Sequence, residues 1–291
     1  MEKVEVKLQN KWIILGIVFL IMVLLAAAYL AKQRAKGNYS DPVGPFYEGS
    51  YAGELNNFDG SLRVVTWNMH YADQVEQAIE TLEDVDELRE AEILLLQEID
   101  AAGVETIAKR LRYNYVFYPA AFNPQRQKLC GNAILAKWPL KNPTKIILPN
   151  FIPGWLESRN SANATITIRG RDISVYSTHL DLTWMFLMRR ESQGEFLAGE
   201  AEEQENLIIM GGDFNTWTPG SVRSLDQRLD QVGLERLTLG TGYTFRWAGV
   251  KLTLDHIFSN TQLQYQAGVY RKTDASDHFP VWAEIMIAGD E

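Results

Sequence analysis

LIIMGGDFNTW, residues 207–217, opens as a buried strand and ends in chemistry. Four apolar residues run into two glycines, and then Asp213 and Asn215 follow two positions apart. An apolar run of this length, bounded by glycine, is the signature of a strand covered on both faces. Such a strand needs helices or a second sheet on either side of it. The other strong runs repeat the pattern. LRVVTW (62–67) is followed by Asn68, EILLLQ (92–97) by Glu98, and ISVYST (173–178) by His179. Asp255 lies inside KLTLDHIF, and Asp277 and His278 stand just before PVWAEIMI. Taken alone, a strand-terminal Asp is an ordinary turn former or helix cap. Six apolar runs in succession, each adjoined by a residue able to bind metal or carry a proton, imply strand ends that meet on one edge as an acidic pocket. All four histidines (His70, His179, His256 and His278) fall within two residues of one of these positions.

Between the strands, Val75, Ile79, Leu82, Val85 and Leu88 recur at helical spacing, as do Val104, Ile107, Ala108 and Leu111. Helical stretches are expected over 184–203 and 221–232, further strands over 131–136 and 163–168, and three strands in succession close the chain. Several neighbouring strands are too close for a helical crossover, so a mixed α/β sandwich fits better than a purely parallel doubly wound sheet.

The first sixty residues differ from the rest. Residues 12–31, WIILGIVFLIMVLLAAAYLA, are uncharged, with Lys11 before them and Lys32, Arg34 and Lys36 after. Twenty such residues match the thickness of a bilayer, so 1–11 reads as a tail, 12–31 as a single transmembrane anchor and 32–60 as linker and domain entry. A cleaved signal peptide is the competing reading, but the apolar stretch exceeds the usual signal core. Lysines and arginines are balanced three against three around the span, so charge does not set its orientation. A short tail stays inside more readily than a large domain. The expectation is therefore a single-pass membrane protein with an extracytoplasmic catalytic domain over 61–288.

In the whole chain of 291 residues, 22% are charged and the net charge is −9, so there is no basic footprint for tight nonspecific nucleic-acid binding. A nuclease is not excluded, because a bound cation supplies positive charge locally. The single cysteine, Cys130, precludes an intramolecular disulfide.

TWN (66–68), QE (97–98), STHL (177–180), GDFN (212–215), LDHIF (254–258) and SDHFPV (276–281) resemble, in order, the motifs of the endonuclease/exonuclease/phosphatase superfamily, the DNase I-like metal-dependent phosphoesterases. The resemblance covers roughly residues 61–288 and rests most heavily on GDFN and SDHFPV. It implies a four-layer α/β sandwich, two mixed β-sheets face to face with helices outside. It also implies Mg²⁺, with Mn²⁺ as a substitute, held by Glu98, Asn68 and Asp277. His278 would be the general base, Asp255 its partner, and Asp213 and Asn215 would orient nucleophile and phosphate. His179 would donate to a phosphate oxygen, and Arg159 would contact the substrate. His256, on the opposite strand face from Asp255, reads as structural. The abasic-site endonuclease branch carries a tyrosine-centred stretch where this chain has STHL, which argues against that activity. The expected substrate is a phosphodiester or phosphomonoester, a lipid headgroup or nucleic acid. Alternatives are a secreted or tethered DNase and a non-catalytic module of the same fold. FIPGW (151–155) and TWMFLMRR (183–190) are candidate interfacial stretches, and nothing points to a protein partner.

Overall fold

The computed structural model describes residues 12–13, 15–29, 39, 41–53, 58–123, 125–149, 158–182 and 187–287. FIPGW and residues 183–186 of TWMFLMRR therefore lie outside the described residues.

Two mixed sheets form the centre. The first has seven strands in the order β1 (Tyr47–Ser50), β4 (Asn114–Asn123), β5 (Lys128–Ala136), β3 (Ile93–Ile99), β2 (Ser61–Asn68), β15 (Val281–Met286) and β14 (Tyr265–Val269). The second has six, in the order β10 (Glu235–Arg236), β13 (Asp255–Ser259), β9 (Leu207–Asp213), β8 (Arg171–His179), β7 (Asn160–Ile168) and β6 (Lys141–Ile147). Each sheet contains one parallel pair, β2 with β3 and β8 with β9, among antiparallel neighbours. A hairpin of β11 (Phe245–Trp247) and β12 (Val250–Leu252) stands apart.

Strand alternation builds the layers. In β2, Leu62 and Val64 face the second sheet, where they pack with Ile166, Val175, Ile209 and Ile257. Val65 and Trp67 face outward onto Ile79 and Leu82 of helix α1 (Val75–Asp84) and Val104 and Ile107 of α2 (Ala101–Leu111). In β9, Ile209 faces inward, whereas Ile208 and Met210 meet Leu197 of α3 (Leu187–Glu202) and Leu225 and Leu229 of α4 (Pro219–Asp230). The result is helices, sheet, sheet, helices. Truncating a wholly buried side chain such as Trp67 to Ala should cost about 3–5 kcal/mol.

Strands β1, β4 and β6 were not signalled by the sequence. Residues 47–50, within the stretch read as linker and domain entry, are an edge strand pairing with β4 from Tyr47↔Phe117 to Ser50↔Asn114. Backbone pairing overrides the glycine-rich composition there. Residues 12–13 and 15–29 are helical, and among the described residues no helix is long and apolar enough to cross a membrane.

Candidate active site

Register places three of the expected residues side by side. Asp213 ends β9, opposite His179 of β8 on one side and Asp255 of β13 on the other. The two glycines allow this. Gly211 faces the other sheet, where an added Cβ would come within 2.7 Å of Leu95 Cδ1. At Gly212 a Cβ would run into the carbonyl of Thr178, so only glycine lets β9 lie this close to β8.

The first sheet contributes Asn68 and Glu98 from parallel neighbours. The β3–β5 register shifts between Leu96 and Ile99, and Glu98 sits in that bulge at φ 49°. A left-handed conformation at a non-glycine residue is costly, and bulges re-aim side chains in this way. The Glu98 carboxylate is turned toward the second sheet, with Oε1 3.9 Å from His179 Nε2. The strand exit is fixed by Asp100, which caps α2 by accepting from Gly103 N at 2.6 Å. Asn68 accepts from His70 N at 3.0 Å and donates through Nδ2 to Asp213 Oδ2 at 3.0 Å. Gln97 ties the sheets together beneath, donating to Ser177 Oγ at 3.0 Å.

His278 lies between two buried carboxylates. Nδ1 is 2.8 Å from Asp255 Oδ2, and Nε2 is 3.7 Å from Asp213 Oδ2. Thr244 Oγ1 donates to Asp255 Oδ2 at 2.6 Å, and the Phe245 ring lies 4.8 Å from the imidazole. Burial pulls the His278 pKa down, but the charges of Asp255 and Asp213 and the Asp255 hydrogen bond outweigh it and raise it to about 10. Asp213 is pushed up to about 6, chiefly by burial and against the pull of His278. The cation on His278 and the carboxylates around it therefore hold one another in place.

His179 is the opposite case. Burial, then the charges of Arg159 and His278, drives its pKa well below 6.5, so the ring is neutral. Arg159 Nη1 lies 3.3 Å from His179 Nδ1. A guanidinium only donates, so Nδ1 accepts and the proton sits on Nε2, which points at Asp213 Oδ2 from 3.4 Å. Arg159 is oriented in turn by Asp181, its Nε 3.6 Å from Oδ1.

Asn215, at φ 50°, stands beside this cluster. Its Nδ2 donates to Leu180 O at 2.9 Å, and its Oδ1 accepts from Trp217 Nε1 at 3.3 Å. Asp277 neighbours His278 in the chain, and Ser276 Oγ approaches its Oδ1 at 3.4 Å. The same hydroxyl donates to Asn68 O at 2.7 Å, which ties this turn to the end of β2. His256 faces away, its Nε2 2.8 Å from Thr216 Oγ1, as strand alternation requires. Thr244, Phe245 and Asp181 were missed by the sequence reading. A threonine eleven positions before Asp255 carries no signal of its own, whereas Asp181, two residues after His179, was visible and passed over.

A hard divalent cation fits this site. The donors are carboxylate and carboxamide oxygens, which suit Mg²⁺ or Mn²⁺. Glu98 Oε1 and Asp213 Oδ2 approach the same His179 Nε2, at 3.9 and 3.4 Å, which brings carboxylates of the two sheets to one point of the site. Ligand-type atoms of Asp213, Asp255 and His278 also lie within 4.8 Å of one another. His278 is the poor donor of that trio, because its Nδ1 is held by Asp255 and it carries a proton.

The sequence matches the model of the Endonuclease/Exonuclease/phosphatase family over residues 65–278. It is similar to a UPF0294 protein of Vibrio vulnificus strain CMCP6, 24% identical over 251 residues that cover 84% of each chain. D. rerio TDP2, solved in complex with a single-strand DNA product, is 18% identical with a TM-score of 0.63, covering 78% of this chain and 99% of that one. A family protein from Leptotrichia buccalis is 19% identical with a TM-score of 0.62, covering 77% and 99%. At these identities the structural likeness concerns the fold.

Proposed function

This chain belongs to the endonuclease/exonuclease/phosphatase family, and we propose that it is a divalent-metal-dependent phosphoric ester hydrolase tethered to a membrane. The observation that carries the reading is the His278–Asp255 dyad, facing Asp213 with the neutral His179 on the far side. Glu98, Asn68 and Asp277 would hold Mg²⁺, which would supply positive charge against the phosphate oxygens. Asp213 orients the attacking water; a cation bound beside that carboxylate would bring the His278 pKa down from its raised value, so that the ring, deprotonated at Nε2, can accept the water's proton there. Asp255 stabilises the resulting imidazolium and keeps the ring in place. His179 donates its Nε2 proton to a phosphate oxygen as charge builds there. Arg159 fixes the tautomer that makes this donation available and brings its own charge to the substrate side. Asn215 positions the phosphate beside Asp213.

The substrate is a phosphodiester or phosphomonoester. A nuclease is the second reading, favoured by the fold shared with the DNA-product complex of D. rerio TDP2. The net charge of −9 weighs against tight binding of a polyanion.

The anchor rests on twenty uncharged residues, 12–31, and on exposed apolar side chains along helical residues 15–29. In this reading the amino-terminal tail is cytoplasmic and the catalytic domain lies outside. The deciding experiment is a substrate panel with Mg²⁺ and with EDTA, comprising bis-p-nitrophenyl phosphate, DNA, RNA, sphingomyelin and phosphoinositides. Chelation should abolish every turnover found. Turnover that survives exhaustive chelation, or none on any phosphoester, rejects the assignment.

A further inference from the structure

The chain enters the catalytic domain at the edge that carries the site. Tyr39 N donates to Ala120 O at 2.9 Å. Pro119 lies opposite Gly131, and Gly131 lies opposite Ile99, next to Glu98. Ala120 is therefore on the site edge, two strands from β3, or about 10 Å at the usual strand spacing. From Tyr39 the chain passes into β1, which runs away from that edge along β4.

Helical residue 29 and Tyr39 are ten residues apart in the chain, a link that reaches at most about 35 Å. A domain of this size is roughly 45 Å across. An attachment point beside the site, on so short a link, holds the site edge toward whatever the helix enters.

Five of the exposed large apolar side chains flank the site, while others such as Phe196, Tyr265 and Met286 stand elsewhere on the surface. Leu182 (47% exposed) follows His179 and Asp181, and Trp217 (37%) follows Asn215. Leu239 (71%) follows β10, which runs antiparallel to β13 toward the Asp255 end. Trp247 (66%) and Val250 are carried by the β11–β12 hairpin, whose Phe245 bridges to His278. Scattered single apolar residues need no explanation, but a rim of them around a polar pocket does. Tryptophan and leucine at such a rim suit the headgroup–acyl boundary.

We infer that the active-site rim docks on the bilayer that holds the amino-terminal helix, and that the substrate is a phosphoester borne by a lipid in that same bilayer. This rests on the membrane-anchor and phosphoesterase readings above and adds the orientation and the substrate class. The rim side chains seat in the interface while the pocket between them receives the headgroup phosphate. The short link makes the encounter intramembrane rather than diffusive.

The test uses the full chain in vesicles of phosphatidylcholine, phosphatidylglycerol and sphingomyelin that contain a headgroup-labelled acceptor lipid. A donor dye is attached at Leu182→Cys or at Gly170→Cys, on the β7–β8 turn at the opposite edge, with buried Cys130 left in place. Energy transfer should be stronger from 182, and equal or weaker transfer overturns the orientation. Trp247→Glu and Leu239→Glu together should lower release of lipid headgroups at least ~10-fold while leaving bis-p-nitrophenyl phosphate hydrolysis unchanged. Unchanged headgroup release in the double variant overturns the docking. Cleavage of added DNA or the soluble diester with no headgroup released by the parent overturns the substrate class. Failure on the soluble diester at every metal concentration instead strikes the phosphoesterase reading, and the transfer measurement still decides the orientation.

Discussion

His278 Nδ1 lies 2.8 Å from Asp255 Oδ2, in a setting where both side chains are buried. Such a pair is stable only while each charge meets the other. The folded pKa of His278, about 10, stands above its ordinary 6.5, so protonation favours the folded chain. That stability is fully present below pH 6.5 and is lost as the pH rises through about 10. Asp213, raised from 3.8 to about 6, acts in the same direction in a lower window. Urea midpoints of the metal-free protein should fall from pH 7 to pH 10, and His278→Gln should flatten that slope. An unchanged slope in the variant would remove His278 as its source.

Turnover should fail when either face of the dyad is cut. His278→Ala and Asp213→Ala should each lower kcat at least ~10²-fold, the lower end of general acid–base contributions. Asp255→Asn, which keeps the shape and loses the charge, should fall in the same range. Each variant should still unfold cooperatively. Parental kcat in any of them, on a substrate the parent hydrolyses, removes that residue from the mechanism.

Metal binding should be coupled to protons. A cation beside Asp213 and Glu98 lowers the proton affinity of nearby groups, and Asp213 begins from a raised value of about 6. Mg²⁺ affinity should therefore climb as the pH passes upward through about 6. Calorimetry in two buffers of different ionisation enthalpy should show proton release on binding. Glu98→Gln should raise the Mg²⁺ concentration needed for half-maximal activity at least ~10-fold. Equal requirements in parent and variant would take Glu98 out of the metal site.

These expectations trace back unevenly to the sequence. Strands buried on both faces, such as β3 and β9, announce themselves by composition, and the residues that end them were legible for the same reason. Strands β1, β4 and β6 were not, because β1 is short and exposed, β4 carries Pro119 in the middle of its apolar run, and β6 mixes polar and apolar residues along its length. Asp213 and His278 stood out as chemistry next to apolar runs. Their protonation was invisible, since it depends on Asp255 arriving 23 positions away in sequence and on the burial of all three. The bulge that turns Glu98 inward depends on the register of β3 against β5, a pairing that no local pattern records.

Thr244 offers the sharpest test of how the dyad is held. Its hydroxyl accepts from Leu254 N at 2.9 Å and Asp255 N at 3.0 Å while donating to Asp255 Oδ2 at 2.6 Å. One atom thus anchors the start of β13 and aims the carboxylate at His278. Thr244→Val keeps the volume but removes the hydroxyl, leaving two buried amides and one carboxylate oxygen without that partner. The loss should cost about 1–3 kcal/mol of stability, read from urea unfolding. Activity should respond differently from stability, because Thr244 does not meet the substrate. We expect kcat to fall about tenfold, the equivalent of ~1.4 kcal/mol in the barrier, with KM unchanged. Thr244→Ser restores the hydroxyl and should recover both quantities. If valine lowers stability alone and leaves kcat at the parental value, Thr244 is only a structural clamp and the aim of Asp255 is set elsewhere.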